Sequence, residues 1–552
     1  MREFFLSNTA ENDFNGSYNF LGGTGPMLDA NNQPIAGTTE ELTALQVYQR
    51  TLIGQAEGLT DAQIRVLGGG ATQFQLGAGI PTLNVRQFDV GLYFNDDWRL
   101  RPNLTLSLGL RYENQTNISD NKDLAPRVAF AWGMDAHGNT PAKTVLRGGF
   151  GTFYSRIPLA STLNAELYNG VTQQSYFITN PSFFPAIPSV SQLTQSPQQL
   201  QLLYAGIVAP RIYQGSIAVD RTINKYSRIT AQYMANRGVH LSRTLNINTP
   251  IDGVYPYGNP TLLELSESNG FSRQDQLIIS PNVNYKKFFL FGFYAYSHGQ
   301  DDNEGAPANP YNLRAEWGPS TFADVRNRAV IGTNIPVPWG ISISPFLIMS
   351  SGTPYNITTG IDSLDEGVAA ERPSLAVNVP AASCGGTGFK YEAGYGCFNL
   401  NPAPGTEIER NYGRGPANET LMLRIARTWA FVNKEGTTQP QGPGGMGGPG
   451  GPGGGGPPPP GGGRGGPPGG GGGGPMMFGG GGTAGKKYSL TASVQASNVL
   501  NHTNFGPPVG NLSSPYFGES ISLAQGFGPP GGGSGGSPTY NRKITLQLRF
   551  TF

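Results

Sequence analysis

The chain has no uninterrupted apolar run approaching the ~20 residues that a membrane-spanning helix requires. Its longest comparable stretch, Phe288 to Tyr296, is about half that length, so helical spans are excluded. Charge is scarce as well. Asp, Glu, Lys and Arg make up 13% of 552 residues and the net charge is +1, which leaves no electrostatic case for nucleic acid or an acidic partner. Only two cysteines and four histidines occur. His137, His240, His298 and His502 lie far apart, and none has a metal-ligand spacing such as i, i+4 with Glu. No Ser/His/Asp arrangement is localised enough to defend, so neither a catalytic residue nor a cofactor is expected, and the chain is not read as an enzyme. The start, Met1-Arg2-Glu3-Phe4-Phe5-Leu6-Ser7, lacks the basic, apolar and small-residue order of a secretory signal.

What is present is alternation. Ile544, Leu546, Leu548, Phe550 and Phe552 alternate with Thr545, Gln547, Arg549 and Thr551. This is the length of one tilted strand crossing the hydrocarbon layer, about 9–11 residues. The same pattern runs through Phe88, Val90, Leu92 and Phe94, and through Leu104, Leu106, Leu108, Leu110 and Tyr112, with turn residues between them, so these two segments read as a hairpin. Further strands are expected at 14–22, 125–133, 143–155, 212–221, 226–235, 273–281, 286–297, 325–336, 341–350, 420–431 and 488–499. Tight links at Pro338-Trp339-Gly340 and around Asn282 contrast with long loops at about 23–85, 157–210, 237–272, 298–324, 351–419, 432–487 and 500–540. An apolar face opposite one of Asn, Gln, Thr, Gly, Arg and Asp, with short turns at one rim and long loops at the other, is the pattern of a barrel in the outer membrane of a Gram-negative-type bacterium. The expected fold is all-β: an antiparallel transmembrane β-barrel over 1–552 with long extracellular loops. Because such a chain is exported yet starts without a signal, it is expected to be the carboxyl-terminal part of a longer protein or to have a mispredicted start.

The 23–85 loop carries helix signals. Thr38 with Glu41, and Thr60 with Gln63, have capping-box spacing, and Leu42, Leu45, Leu52 and Ile53 share a helical face. Residues 439–482 are almost entirely Gly and Pro, as is 526–537. Neither segment has apolar area to offset ordering entropy, so both read as disordered surface-loop insertions. The break at Pro457-Pro458-Pro459-Pro460 rules out a collagen repeat. Asp301, Asp302 and Glu304, and separately Asp362, Asp365 and Glu366, place several carboxylates in loops and are weak candidates for calcium; solvated loop charge is the ordinary reading, and no metal is assigned. Cys384 and Cys397 would close a small ring in an oxidising compartment, worth roughly 3 kcal/mol in the chain-entropy account. A zinc site would need ligands that are not nearby, so a disulfide is preferred.

The stretch Val90-Gly91-Leu92-Tyr93-Phe94-Asn95-Asp96-Asp97-Trp98, followed by Leu104-Thr105-Leu106-Ser107-Leu108-Gly109-Leu110-Arg111-Tyr112-Glu113, resembles the barrel strands of TonB-dependent receptors. That family reads roughly Y-x-Q-D-x-W and L-T-L-x-x-G-L-R-Y-E, with Asn95 standing where Gln is commoner. The Oar-like branch is the most similar. The resemblance extends through Ala125–Phe130, Leu146–Tyr154, Trp317–Ser320, Asp324–Arg328, Ser351–Tyr355, Asn411–Pro416 and Asn498–Gly506, in the family's order. It implies a barrel of about 22 strands, plugged by an amino-terminal globular domain behind a short energy-coupling segment. The segments read here account for roughly 14–18 strands, so a partial barrel without its plug is expected. The resemblance further implies that the aromatic terminus, Phe550 and Phe552, is the signal read by the barrel-assembly machinery. Expected partners are outer-membrane lipid, that machinery, an unknown extracellular ligand, and the TonB complex only if a plug lies upstream. The function this implies is uptake of an unknown ligand. The alternatives are a structural or adhesive surface barrel without active transport, and a nonfunctional fragment.

Overall fold

The computed structural model describes residues 2–9, 11–136, 140–193, 198–362, 364, 369–376, 379, 384, 388–433, 486–524 and 541–552. The Gly/Pro-rich segments 439–482 and 526–537, with His137, Asp365 and Glu366, lie outside the described residues.

Alternation produces one large sheet. In chain order its main strands are β1 (Arg2–Thr9), β2 (Thr82–Arg101), β3 (Leu104–Gln115), β4 (Asp123–Gly133), β5 (Thr144–Tyr154), β6 (Arg211–Asn224), β7 (Ser227–Asn246), β8 (Leu262–Tyr285), β9 (Phe288–Asp301), β10 (Asn327–Val337), β11 (Ile341–Ser350), β12 (Asn418–Asn433), β13 (Lys486–Ser497) and β14 (Lys543–Thr551). Each pairs with the next in sequence, giving an antiparallel meander. Two short strands add to it: Gln199–Leu203, parallel to β8, and Gly318–Pro319, on β9. β1 and β14 end the order, and among the described residues no pairing joins them.

The register separates the two faces. Phe94 pairs with Leu110, Val128 with Phe150, Ile217 with Tyr233, Tyr233 with Leu277, Leu277 with Tyr296, and Val494 with Leu546. All of these side chains are exposed, Phe94 at 68% and Leu546 at 76%. A soluble monomer rarely exposes a contiguous apolar patch beyond a few hundred Å². A band that crosses the whole sheet is the lipid-facing surface of a barrel. The opposite face carries Ser216, Met234, Gln276 and Ser297 as successive cross-strand partners. On the same face Asp220, 3% exposed, accepts from Thr230 Oγ1 at 2.6 Å and pairs with Arg228 at 2.7 Å and with Arg147. In β14, Arg549 pairs with Thr491 in this polar row.

Three expectations change. The segment 14–22 forms only a short strand, Ser17–Asn19, within a loop, and the first sheet strand is Arg2–Thr9. Asn282 lies inside β8, and the turn is at Lys286-Lys287, with Lys286 at φ 56°. Pro281 has no N–H, so the β8–β9 ladder misses a step beside it, yet pairing resumes in the same register at Asn282 and Phe291. The 237–272 loop shrinks because β7 runs to Asn246 and β8 starts at Leu262. At 20 and 24 residues these strands exceed what the bilayer needs and build a wall beyond it.

The meander also fixes sidedness. The turns at 102–103, 134–143, 225–226, 286–287 and 338–340 share one rim. The long loops 10–81, 155–210, 302–326, 351–417 and 498–542 share the other, which by the turn rule is extracellular. The ends of β12 and β13 depart from this pattern: Asn433 pairs with Lys486 at the rim of the short turns, so the long connection between these two strands starts and ends there.

In the first long loop, α1 (Ala44–Ala56) is capped by Thr43 with Gln46, and α2 (Asp61–Val66) by Thr60 with Gln63. Thr38 is not a cap; it precedes a short strand at Glu40–Leu42. The buried face of α1 is Val47, Arg50, Thr51 and Gly54, whereas Leu45 and Leu52 are exposed, because the helix packs through small residues against Ile64. Replacing Thr43 with Ala removes the side-chain acceptor for the Gln46 amide and should cost about 1 kcal/mol, read as faster hydrogen exchange confined to 44–56.

Candidate functional site

The extracellular loops fold over the sheet's polar side. Helix α3 (Leu159–Leu167) packs on β1, β2 and the Gln199–Leu203 strand added to β8. Those partners are far apart in strand order, so the sheet curls around the helix. Leu163 and Leu167 are buried against Val85 on the inner face of β2. The chain leaving β5 is pinned there too: the Ile157 amide donates to Gln115 Oε1 at 2.9 Å, and Arg156 pairs with Asp89 at 2.7 Å.

The rim around 302–326 and 351–417 is fastened by buried ions. Arg372 and Glu316, 2% and 3% exposed at their side chains, pair at 2.8 Å. Arg372 also donates to the carbonyls of Ile408 and Ala315. Arg410 reaches Asp301 and, at 3.1 Å, Glu304. Arg414 and Arg326 share Asp324. Arg243 pairs with Asp302 at 2.9 Å. Burial alone would raise the Glu304 carboxyl; hydrogen bonding with Asp301, the Arg410 charge, the Thr321 amide and the Ser320 hydroxyl outweigh it and hold Glu304 below the ordinary range.

These contacts account for the acidic cluster. Asp301 and Glu304 share Arg410 and a hydrogen bond with each other, and Asp302 pairs with Arg243. Among the described residues no group of three or more His, Cys, Asp or Glu side chains has a metal-holding arrangement. The histidines are dispersed: His240 faces the Ser268 carbonyl, His298 faces Asp324, and His502 faces Asn504. Cys384 and Cys397 are joined with Cα atoms 5.7 Å apart, and Cys397 lies beside Phe398 in a loop core with Tyr355, Ile357, Ile408 and Leu512.

Distant motifs meet at this rim. Asn411 Nδ2 donates to the Pro319 carbonyl at 2.7 Å, Pro354–Tyr355 pairs with Gly413–Arg414, and Asn504 Nδ2 donates to the Glu419 carbonyl at 3.0 Å. Gly352 approaches the Gly415 carbonyl so closely that a Cβ would sit 1.7 Å from it. The motifs Trp317–Ser320, Asp324–Arg328, Ser351–Tyr355, Asn411–Pro416 and Asn498–Gly506 are thus stitches between loops. Sequence reasoning missed this role; the only signal was that these Gly-, Asn- and Arg-containing segments carry the resemblance noted above.

Two clefts open among the loops. One, of about 390 Å³, lies between α3 and the extended tops of β7 and β8, with Ser161, Arg243, Asn246 and Glu264 in its wall. The other, of about 410 Å³, lies between α3 and a small sheet of Ser17–Asn19, Gln73–Gly79 and Gln173–Thr179. Its wall includes Gln75, Gln199, Gln201 and Asn164.

The chain is similar in structure to the outer membrane transporter YddB from Escherichia coli at 11% identity, covering 88% of this chain and 47% of that one with a TM-score of 0.47. It is similar to the FrpB iron transporter from Neisseria meningitidis at 10% identity, covering 92% and 50% with a TM-score of 0.40. It is also similar to the ferric enterobactin receptor PfeA from Pseudomonas aeruginosa, a mutant form, at 10% identity, covering 86% and 49% with a TM-score of 0.40. The chain spans about half the length of these proteins. No curated protein matches the sequence. A family model described as an outer membrane beta barrel domain matches residues 1–123 and 116–441. With most of its length in that match and a lipid-facing band across its sheet, the chain belongs to the outer membrane β-barrel domain family and resides in the Gram-negative outer membrane.

Proposed function

We propose that this chain is the barrel of an Oar-like receptor that captures an extracellular ligand on its folded loops and takes it up by TonB-dependent transport. The observation that carries this reading is the folded rim: helices, small sheets, a joined cysteine pair and buried ion pairs hold clefts over the polar side of the sheet. A passive pore has no need of ordered clefts at its mouth. The TonB complex is a partner in this reading only if a plug and coupling segment lie upstream of Met1. The adhesive-barrel alternative would have to rest on the second Gly/Pro-rich segment, 526–537, because the strand ends flanking the first, Asn433 and Lys486, sit on the rim of the short turns. Calcium at the acidic loops is not part of this reading, since Arg410 and Arg243 already occupy Asp301, Glu304 and Asp302.

Cells carrying the gene and isogenic cells lacking it, fed a ¹³C-labelled nutrient extract, test the reading. Carriers should deplete a compound that the others leave, and a protonophore should abolish the difference. Equal depletion, or depletion indifferent to the protonophore, would overturn active uptake.

Phe550 and Phe552 are assigned to recognition by the barrel-assembly machinery. Deleting Phe552 should lower the amount of chain inserted in the outer membrane while leaving ligand affinity of the inserted fraction unchanged. Undiminished insertion on a heat-modifiability gel would remove the assignment.

A further inference from the structure

We infer that the cleft beside α3 binds a neutral, polyhydroxylated ligand, an oligosaccharide. The inference rests on the receptor reading for its biological purpose and on the cleft itself for its chemistry.

Period-2 alternation builds the wall. In Gln73–Gly79, Phe74 and Leu76 turn to a buried core with Tyr176, which sends Gln75 and Gly77 to the other face. In the neighbouring strand Ser175 pairs with Gly77 and so shares that face. Gln199 and Gln201 alternate with Leu200 and Leu202 in the strand added to β8. Asn164 and Tyr168, from α3 and its end, close the opposite side. Gly77 brings the floor close: its amide donates to the Asp13 carbonyl at 3.0 Å, and a Cβ there would lie 2.3 Å from the Asn12 carbonyl oxygen.

Three features of the wall select the ligand. First, no Lys, Arg or His lines the cleft, and its one ionisable acid is Asp13, which disfavours phosphate, carboxylate and other anionic ligands. Second, the wall is amide and hydroxyl rather than apolar, which disfavours lipid. Third, the side chains of Gln75, Ser175, Gln199, Gln201 and Asn164 are half-buried, and among the described residues none hydrogen-bonds to another side chain or backbone group. A carboxamide offers both a donor pair and an acceptor, and a sugar hydroxyl does the same, so a run of amides matches a run of hydroxyls without charge. A peptide would instead extend a strand edge through its main chain. The edge facing this cleft is occupied, since Tyr176 bridges Gln198. The volume, about 410 Å³, lies within the ordinary range of small-ligand sites.

The test is a panel of immobilised neutral oligosaccharides of varied linkage, with phosphorylated and sialylated glycans and hexa-alanine as comparators, probed with the full chain in detergent. At least one neutral glycan should be retained. For that glycan Gln199→Ala with Gln201→Ala should weaken affinity roughly tenfold or more, with Gln75→Ala acting in the same direction. Ser242→Ala with Ser266→Ala, in the other cleft, should leave it unchanged. Each variant is checked for strand content and heat-modifiable mobility. Retention of no neutral glycan by the unsubstituted chain overturns the inference, as does retention of charged glycans or hexa-alanine alone, or affinity unmoved by all three glutamine substitutions. Blank retention alongside protonophore-sensitive uptake would sink the oligosaccharide and keep the receptor. Glycan retention without such uptake would do the reverse.

Discussion

Replacing Arg372 with alanine should unfasten the extracellular rim while the strand meander stays folded. The guanidinium contacts the Glu316 carboxylate and the Ile408 and Ala315 carbonyls, all inside the loop layer. With the arginine gone, Glu316 is left 2% exposed, with the Ala308 amide as a donor and no partner charge from Arg372. Breaking one side of a fully buried pair typically costs about 3–5 kcal/mol, far more than losing a surface pair. The cost falls on the packing of 302–326 against 351–417, because the Arg372 hydrogen bonds among the described residues go to Glu316, Ala315 and Ile408 in those loops. Limited proteolysis should therefore cut the loops of Arg372→Ala much faster than those of the unsubstituted protein, with heat-modifiable mobility preserved. Removing both charges together, Arg372→Met with Glu316→Leu, should restore much of the protection, because an apolar pair leaves no stranded ion. Equal protection in Arg372→Ala would mean that the pair does not hold the rim.

Arginine at Ile217 should block stable insertion, and arginine at the adjacent Ser216 should be tolerated. Both lie near the middle of β6, and one residue of register separates the lipid face from the polar face. Ile217 is 49% exposed beside Tyr233 in the apolar band, whereas Ser216 pairs with Met234 and Gly149 on the inner side. A lipid-facing arginine near the midplane costs about 2–4 kcal/mol, while a position facing water carries little of that penalty. Denaturant titration in lipid vesicles should show Ile217→Arg losing stability on that scale and Ser216→Arg staying close to the parent. Equal effects at the two positions would contradict the assignment of faces.

The strands were legible because each carries its own signal. Ile544 to Phe552, or Leu104 to Tyr112, declares its two faces without reference to the rest of the chain, and lipid outside with water inside demands that alternation. The errors lay where local pattern and tertiary placement part. Pro281 and Asn282 look like a turn, but a strand tolerates one missing donor. The helical face of α1 was misjudged because its contact with Ile64 uses Gly54 rather than leucines. The partners of the acidic cluster were out of reach for a different reason, since Arg410 meets Asp301 across 109 positions and no spacing rule reaches that far.

The sequence by itself determined the all-β class, the two-faced strands and the alternation of short and long connections, since each follows from side-chain polarity along a period of two. Only the tertiary structure decided that arginines from distant segments pair with Asp301, Asp302 and Glu304, that the loop motifs are stitches, that β12 and β13 meet their connection at the rim of the short turns, and that amides from three separate segments share one cleft. Those outcomes depend on which strand lies beside which and on how many times the chain has turned, quantities that accumulate over the whole meander and are written in no single stretch of it.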